Sequence, residues 1–203
     1  MRRGVLISSI LISVIIFHLG GCAATKVSRL GVEEVTDISG RWNDTDSRLV
    51  SEALIQDCLS APWVNGFLNI SNRKPVVIVG NVANRSHEHI DAQVFVKDLE
   101  RSLLNSGQVQ FVASQEERQA IRTERDDQQA GFTDPESIKK HGRESGADFM
   151  LMGSIHSLKD EVKGKYAILY QVNMELINLS TNEKTWIGQK EIKKLVKKRS
   201  YSL

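Results

Sequence analysis

Cysteine, proline and aromatic residues are all scarce in this chain. Among 203 residues there are two cysteines, three prolines, and only 6% Phe, Trp and Tyr. With two cysteines, Cys22 and Cys58, no disulfide framework can hold the fold, so stability has to come from a buried core. Cys58 falls in an apolar helical pattern with no base nearby, and it reads as a small buried hydrophobe rather than a nucleophile. With so little proline, nothing stiffens residues 23–44, a stretch of Ser, Thr, Gly, Glu and Asp that reads as a flexible tether. There is no excess of charge of one sign. Apart from Arg2 and Arg3 at the very start, the remaining 25 of the 27 basic residues balance 25 acidic ones. No global field draws the protein to nucleic acid.

The longest apolar run, residues 5–19, is too short to cross roughly 30 Å of hydrocarbon comfortably, but it suits the core of a signal peptide. Arg2 and Arg3 form its basic head, and Leu19-Gly20-Gly21-Cys22 follows it. Small residues leading into a cysteine form a bacterial lipobox. The expected cut lies between Gly21 and Cys22, so residues 1–21 are the leader and Cys22 becomes the acylated N-terminus. Several acyl chains on one residue anchor a protein stably, where a single chain binds only marginally. Ala23 is not the aspartate that marks inner-membrane retention in lipoprotein sorting, which points to the outer membrane, with residues 45–203 facing the periplasm.

The rest of the chain suits a single domain of ordinary size. Asp44-Thr45-Asp46 opens a helix in which Leu49, Val50, Ala53, Leu54 and Cys58 recur at helical spacing, and Pro62 and Trp63 end it. A short amphipathic piece passes through Phe67 and Leu68. The unbroken β-branched run at 75–80 predicts a strand buried on both faces, with 81–88 a polar loop beyond it. A helix is predicted over 90–106, N-capped by Asp91 and ended at Gly107, with Phe95, Leu99 and Leu103 on one face. A short strand around Val109, Phe111 and Val112 leads to Ser114, which caps a charged surface helix at 115–129 with only Ala120 and Ile121 turned inward. A further helix is expected from Asp134-Pro135 to about residue 145. The strand at 149–155 follows, then a meander: 166–178 alternates with Tyr170, Val172, Met174 and Leu176 on one side, 180–183 turns, and 184–192 returns through Trp186. Strands separated by helices pair in parallel, and consecutive strands pair antiparallel. The sum is one α/β domain with a mixed sheet packed by helices.

Little in the sequence invites chemistry. His87-Glu88-His89 is the one cluster open to a metal reading, but zinc takes three or four ligands at recognisable spacing and no partner motif accompanies it. His141 and His156 stand alone. No G-x-S-x-G frames a serine, and Gly80 lacks the further glycines of a phosphate loop. The acid pairs Asp126-Asp127 and Asp160-Glu161 lie in polar stretches. The expectation is a protein that is not an enzyme, needs no cofactor or metal, and takes no small-molecule substrate. Trp42, Trp63 and Tyr201 are candidate contact residues that could equally fill the fold's own grooves. Lys190, Lys193, Lys194, Lys197, Lys198 and Arg199 cluster at the tail. They form either a solvated edge whose charges block aggregation or a contact for an acidic partner or for peptidoglycan carboxylates.

Several segments, taken in order, resemble one family. These are 75–85, the Leu103-Leu104-Asn105-Ser106-Gly107 turn running into Val109 to Val112, the Gly146-Ala147-Asp148 entry to Phe149-Met150-Leu151-Met152-Gly153-Ser154-Ile155, and the hairpin from Tyr170 through Trp186 to Lys194. Together, behind a lipobox, they resemble the LpoB-type outer-membrane lipoproteins, activators of class A penicillin-binding proteins. The resemblance implies a domain similar to the TolB N-terminal domain. It also implies a non-enzymatic role, in which the lipoprotein binds and activates a class A penicillin-binding protein and so stimulates peptidoglycan synthesis. The tether here lacks the long proline-rich linker of such proteins. An envelope assembly or secretion lipoprotein of the same fold is the alternative.

Overall fold

In the computed structural model, residues 28–31 and 34–197 are described. The chain divides into two units, Met1–Glu34 and Val35–Leu203. In the first, the Glu34 amide closes a turn on the Gly31 carbonyl at 2.9 Å. The leader, the Gly21–Cys22 cut, Lys198, Arg199 and Tyr201 lie outside the described residues.

The second unit begins with α1 (Asp44–Ser60). Asn43 is its N-cap and forms a reciprocal capping box with Asp46: the Asp46 amide donates to Asn43 at 3.0 Å, and the Asn43 amide donates back at 2.9 Å. This satisfies two of the helix's orphan donors. The helix ends at Ser60, and Ala61, the residue before Pro62, is extended, as the steric demand of proline on its predecessor requires. α2 (Trp63–Ser71) follows, and its indole donates to the Cys58 carbonyl at 2.7 Å, capping the end of α1. α3 (Ala92–Ser106) starts at Asp91, whose side chain accepts from Gln93, and stops at Gly107, where φ is 64°.

Five strands form one sheet: β1 (Val76–Arg85), β2 (Gln110–Phe111), β3 (Phe149–Val162), β4 (Lys165–Asn178) and β5 (Lys184–Lys197), in the order β2-β1-β3-β4-β5. β1 pairs in parallel with β2 and β3, while β3, β4 and β5 form an antiparallel meander. α1 packs on α3 and β5, and α3 on β1. Phe95, Leu99 and Leu103 of α3 meet Leu151, Ile155, Tyr170, Met174 and Leu176 of the sheet in one core. The alternation expected along β4 holds, because Tyr170, Val172, Met174 and Leu176 are all buried. On the opposite face Gln171 and Asn173 bond to each other at 3.0 Å. Trp186 is 8% exposed and donates to Asp57 on α1 at 3.0 Å.

Three expectations need correction. Residues 81–85 are strand rather than loop. The register shifts between Val79 and Val82 and then resumes, with Arg85 opposite His156, because β3 is long enough to offer a backbone partner that far. A polar composition does not exclude a strand whose hydrogen bonds are supplied from alongside. Second, no helix follows Pro135. Asp134 closes a single turn on Glu136 and Ser137, and Gly142 then adopts φ 77°. Ile138 is the one large apolar residue between 134 and 145, so no stripe exists to hold a helix by packing. Third, α4 (Gln115–Asp127) buries no residue, and both Ala120 and Ile121 are exposed rather than inward. It runs on into a π-helical turn, Gln128–Phe132.

Candidate interaction surface

The residues singled out for chemistry do not converge. The His87 ring turns to Ser157, with Nδ1 2.5 Å from its hydroxyl, and Glu88 accepts the Trp42 backbone N–H at 3.3 Å. His87 and His89 are both exposed, and no group of three His, Cys, Asp or Glu fit to hold a metal occurs among the described residues. His156 pairs locally with Ser154 at 2.9 Å, and His141 with Asp126 at 2.9 Å. Asp126, Asp127, Asp160 and Glu161 are exposed. Burial pushes the Cys58 thiol up to about 12, so at neutral pH it stays protonated and unreactive. Trp42 packs edge-on against Phe95 and Tyr170, with centroids 6.3 and 5.6 Å away, and Trp63 lies 4.9 Å from Phe149. Both rings fill grooves of the fold itself.

The basic tail divides into two kinds of residue. Lys190, Lys193 and Lys197 are exposed along β5, an edge of the sheet. Lys194 is not solvated. Its side chain is 8% exposed, and it donates to Asp46 at 2.5 Å, to Asp37 at 2.6 Å and to the Arg41 carbonyl at 3.1 Å. Burial opposes its charge, but the two carboxylates outweigh it and hold its pKa above the ordinary lysine value. The Tyr166 hydroxyl also donates to the Ser39 carbonyl at 3.0 Å. Residues 37–43, expected to be tether, are thus bound to α1 and to the β4–β5 hairpin. Sequence pattern could not reveal this, since it depends on side chains nearly 150 positions apart.

A second pair missed at the sequence level joins the starts of β1 and β3. Arg73 forks onto both oxygens of Asp148 at 2.7 Å, and Asp148 also accepts the Val76 N–H at 2.8 Å. Arg73 lowers the Asp148 pKa through these hydrogen bonds. The signal was present in the Gly146-Ala147-Asp148 turn, an acid immediately ahead of a buried strand.

The part of the surface built apart from the core is the stretch between β2 and β3. Ser114 and Glu117 make a capping box at the start of α4, and Lys97 of α3 reaches Glu117 at 2.7 Å. At the far end, Arg122 grips both oxygens of Glu144 at 3.0 and 2.8 Å, and Arg125 adds a third contact at 2.8 Å. Hydrogen bonds from Arg122, then the charge of both guanidiniums, hold the Glu144 carboxyl down to about 2. These ties fold residues 138–144 back against α4. Between the two lies an open groove of about 610 Å³, lined by Ile121 and Ile138 together with Glu124, Arg125, Lys139, Lys140 and Arg143. The groove sets two isoleucines beside four cations and one carboxylate.

No curated protein matches the sequence. Solved structures to which the chain is similar include the C-terminal domain of LpoB from Salmonella enterica, at 18% identity and TM-score 0.42 over 72% of this chain and 98% of that one. The corresponding domain from Escherichia coli matches at 19% identity and TM-score 0.38, over 70% and 97%. Lipoprotein GNA1162 from Neisseria meningitidis matches at 14% and 0.37, over 61% and 84%. A family model described as peptidoglycan-synthase activator LpoB matches residues 46–192, from the first turn of α1 to the middle of β5. The chain therefore belongs to the LpoB family of peptidoglycan-synthase activators.

Proposed function

We propose that this protein is a lipid-anchored regulator at the periplasmic face of the outer membrane that binds and activates a class A penicillin-binding protein. The observation that carries the reading is the family match across nearly the whole folded unit, standing behind the Leu19-Gly20-Gly21-Cys22 lipobox. The chain between Cys22 and Asp37, the first residue bound to the domain by Lys194, spans at most about 50 Å when fully extended. The protein works close to its anchor, and the synthase has to extend outward to meet it.

The test is affinity capture from solubilised membranes with the full-length lipoprotein, followed by glycan polymerisation assays on the captured enzyme. A penicillin-binding protein should be retained and its rate should rise on adding the lipoprotein. Cys22→Ser should take up no labelled palmitate and should leave the outer-membrane fraction. Capture of a secretion or assembly subunit with no synthase would replace the reading, and palmitate labelling of Cys22→Ser at wild-type level would remove the anchor.

A further inference from the structure

We infer that the groove between α4 and residues 138–143 is where the synthase docks, through a segment that carries carboxylates around an apolar side chain. The inference rests on the proposed function and names the surface that function requires.

The first reason is the energetics of α4. A helix of this length is marginal in water unless packing holds it, yet α4 buries no residue. Its Ile121 is 42% exposed, and Phe132, closing the turn that leads out of it, is 91% exposed. It is kept in place by ionic ties at both ends, Lys97–Glu117 and Arg122–Glu144. It contributes nothing to the core and is still held in one orientation. Such an element presents a surface.

The second reason is the charge of that surface. Arg125 is committed to Glu144, but Lys139, Lys140 and Arg143 make no side-chain hydrogen bond or ion pair with any described residue. Among the described residues lining the groove, Glu124 is the one acid. Three uncompensated cations side by side repel one another, and they lower their energy by meeting carboxylates. The edge strand β5 is also basic, with Lys190, Lys193 and Lys197 exposed against the one acid Glu191, so charge alone does not choose between the two surfaces.

The third reason selects a protein segment over other anions. Ile121 and Ile138 line the groove among the charged residues, and both gain by burying an apolar group. A glycan offers carboxylates but no such group. A bilayer surface is broad and flat, whereas this groove is concave and sized for a few side chains. An acidic peptide segment with one apolar residue satisfies both the isoleucines and the cations of the lining, with the apolar contact as anchor.

The test uses the full-length lipoprotein in detergent and a solubilised class A penicillin-binding protein of the same organism, labelled with a fluorescent penicillin. Affinity is measured between low and physiological salt. The triple variant K139E/K140E/R143E should bind at least roughly ten-fold more weakly at low salt and should lose the salt dependence of the wild type. Ile121→Ser should weaken binding several-fold and keep the salt dependence. Lys163→Glu, on the β3–β4 turn, should change nothing. Thermal melts of all the variants should match the wild type, since none of these side chains is buried. If the triple variant binds within two-fold of wild type, or if Lys163→Glu weakens binding equally, the groove is not the docking site. Loss of binding to anionic vesicles or purified sacculi with synthase affinity unchanged would reassign it and overturn the inference. A wild-type protein that binds no synthase would bring down the proposed function first, and this surface with it.

Discussion

Lys194→Met removes one cation from the buried cluster that joins the start of α1 to β5. The wild-type ammonium is shared by Asp46 and Asp37, and the side chains of Lys194 and Asp46 are each 8% exposed. Taking one member from a buried pair leaves the other as an uncompensated charge, which typically costs 3–5 kcal/mol. Two features move the expectation to the lower end. The Asp37 side chain is 48% exposed and can rehydrate, and Asp46 keeps the hydrogen bond from the Asn43 amide. The expected loss is about 3 kcal/mol, or about 6–12 °C in melting temperature for a domain of this size. Because the folded-state pKa of Lys194 is raised, its stabilisation is fully present below the ordinary lysine pKa of 10.5 and lost only as pH rises beyond it. Urea titration at pH 7 therefore reads the whole effect, and the slope should not change. Adding Asp46→Asn should recover part of the loss, because it removes the stranded charge and keeps a hydrogen-bonding side chain. A loss under about 1 kcal/mol, with no recovery in the double variant, would mean the cluster is solvated and does not fasten residues 37–43.

Two further tests follow from single contacts. A Cβ at Gly188 would clash with the Trp186 indole, and the indole cannot swing aside without giving up Asp57; Gly188→Ala should cost about 1–3 kcal/mol by urea titration, and an unchanged midpoint would mean the ring is free to move. The Glu144 carboxyl is held at about 2, so its contribution to the arm is complete above its ordinary value of 4.5 and lost as pH falls toward 2. Glu144→Gln should speed amide exchange in α4 at pH 7 without touching β4, and the difference from wild type should shrink on acidification; equal exchange at pH 7 would show that the two arginines do not hold the helix.

How much was legible in the sequence varies from element to element. The periods of 3.6 over α1 and α3 and of 2 over β4 were plain because each element buries one side, and burial writes a repeating pattern into neighbouring residues. Asp91, Gly107 and Ser114 were legible as caps for the same local reason. The strand at 81–85 was not, because its hydrogen bonds come from β3, some seventy positions away. The arm between β2 and β3 misled in the other direction: Pro135 and its neighbours have helix-starting chemistry, but nothing in the fold receives an apolar side there.

What lay in the order of the residues was most of the succession of helices and strands and the mixed α/β class, since these depend on spacing over a few positions. What waited for the fold was the separation of Lys194 from its exposed lysine neighbours and the gathering of Lys139, Lys140 and Arg143 over Ile121 and Ile138. A charge has no periodic signature that tells a buried ion pair from a solvated one. Its role is set by which carboxylate the folded chain places within 3 Å, and that distance exists only once helices and sheet have closed on each other.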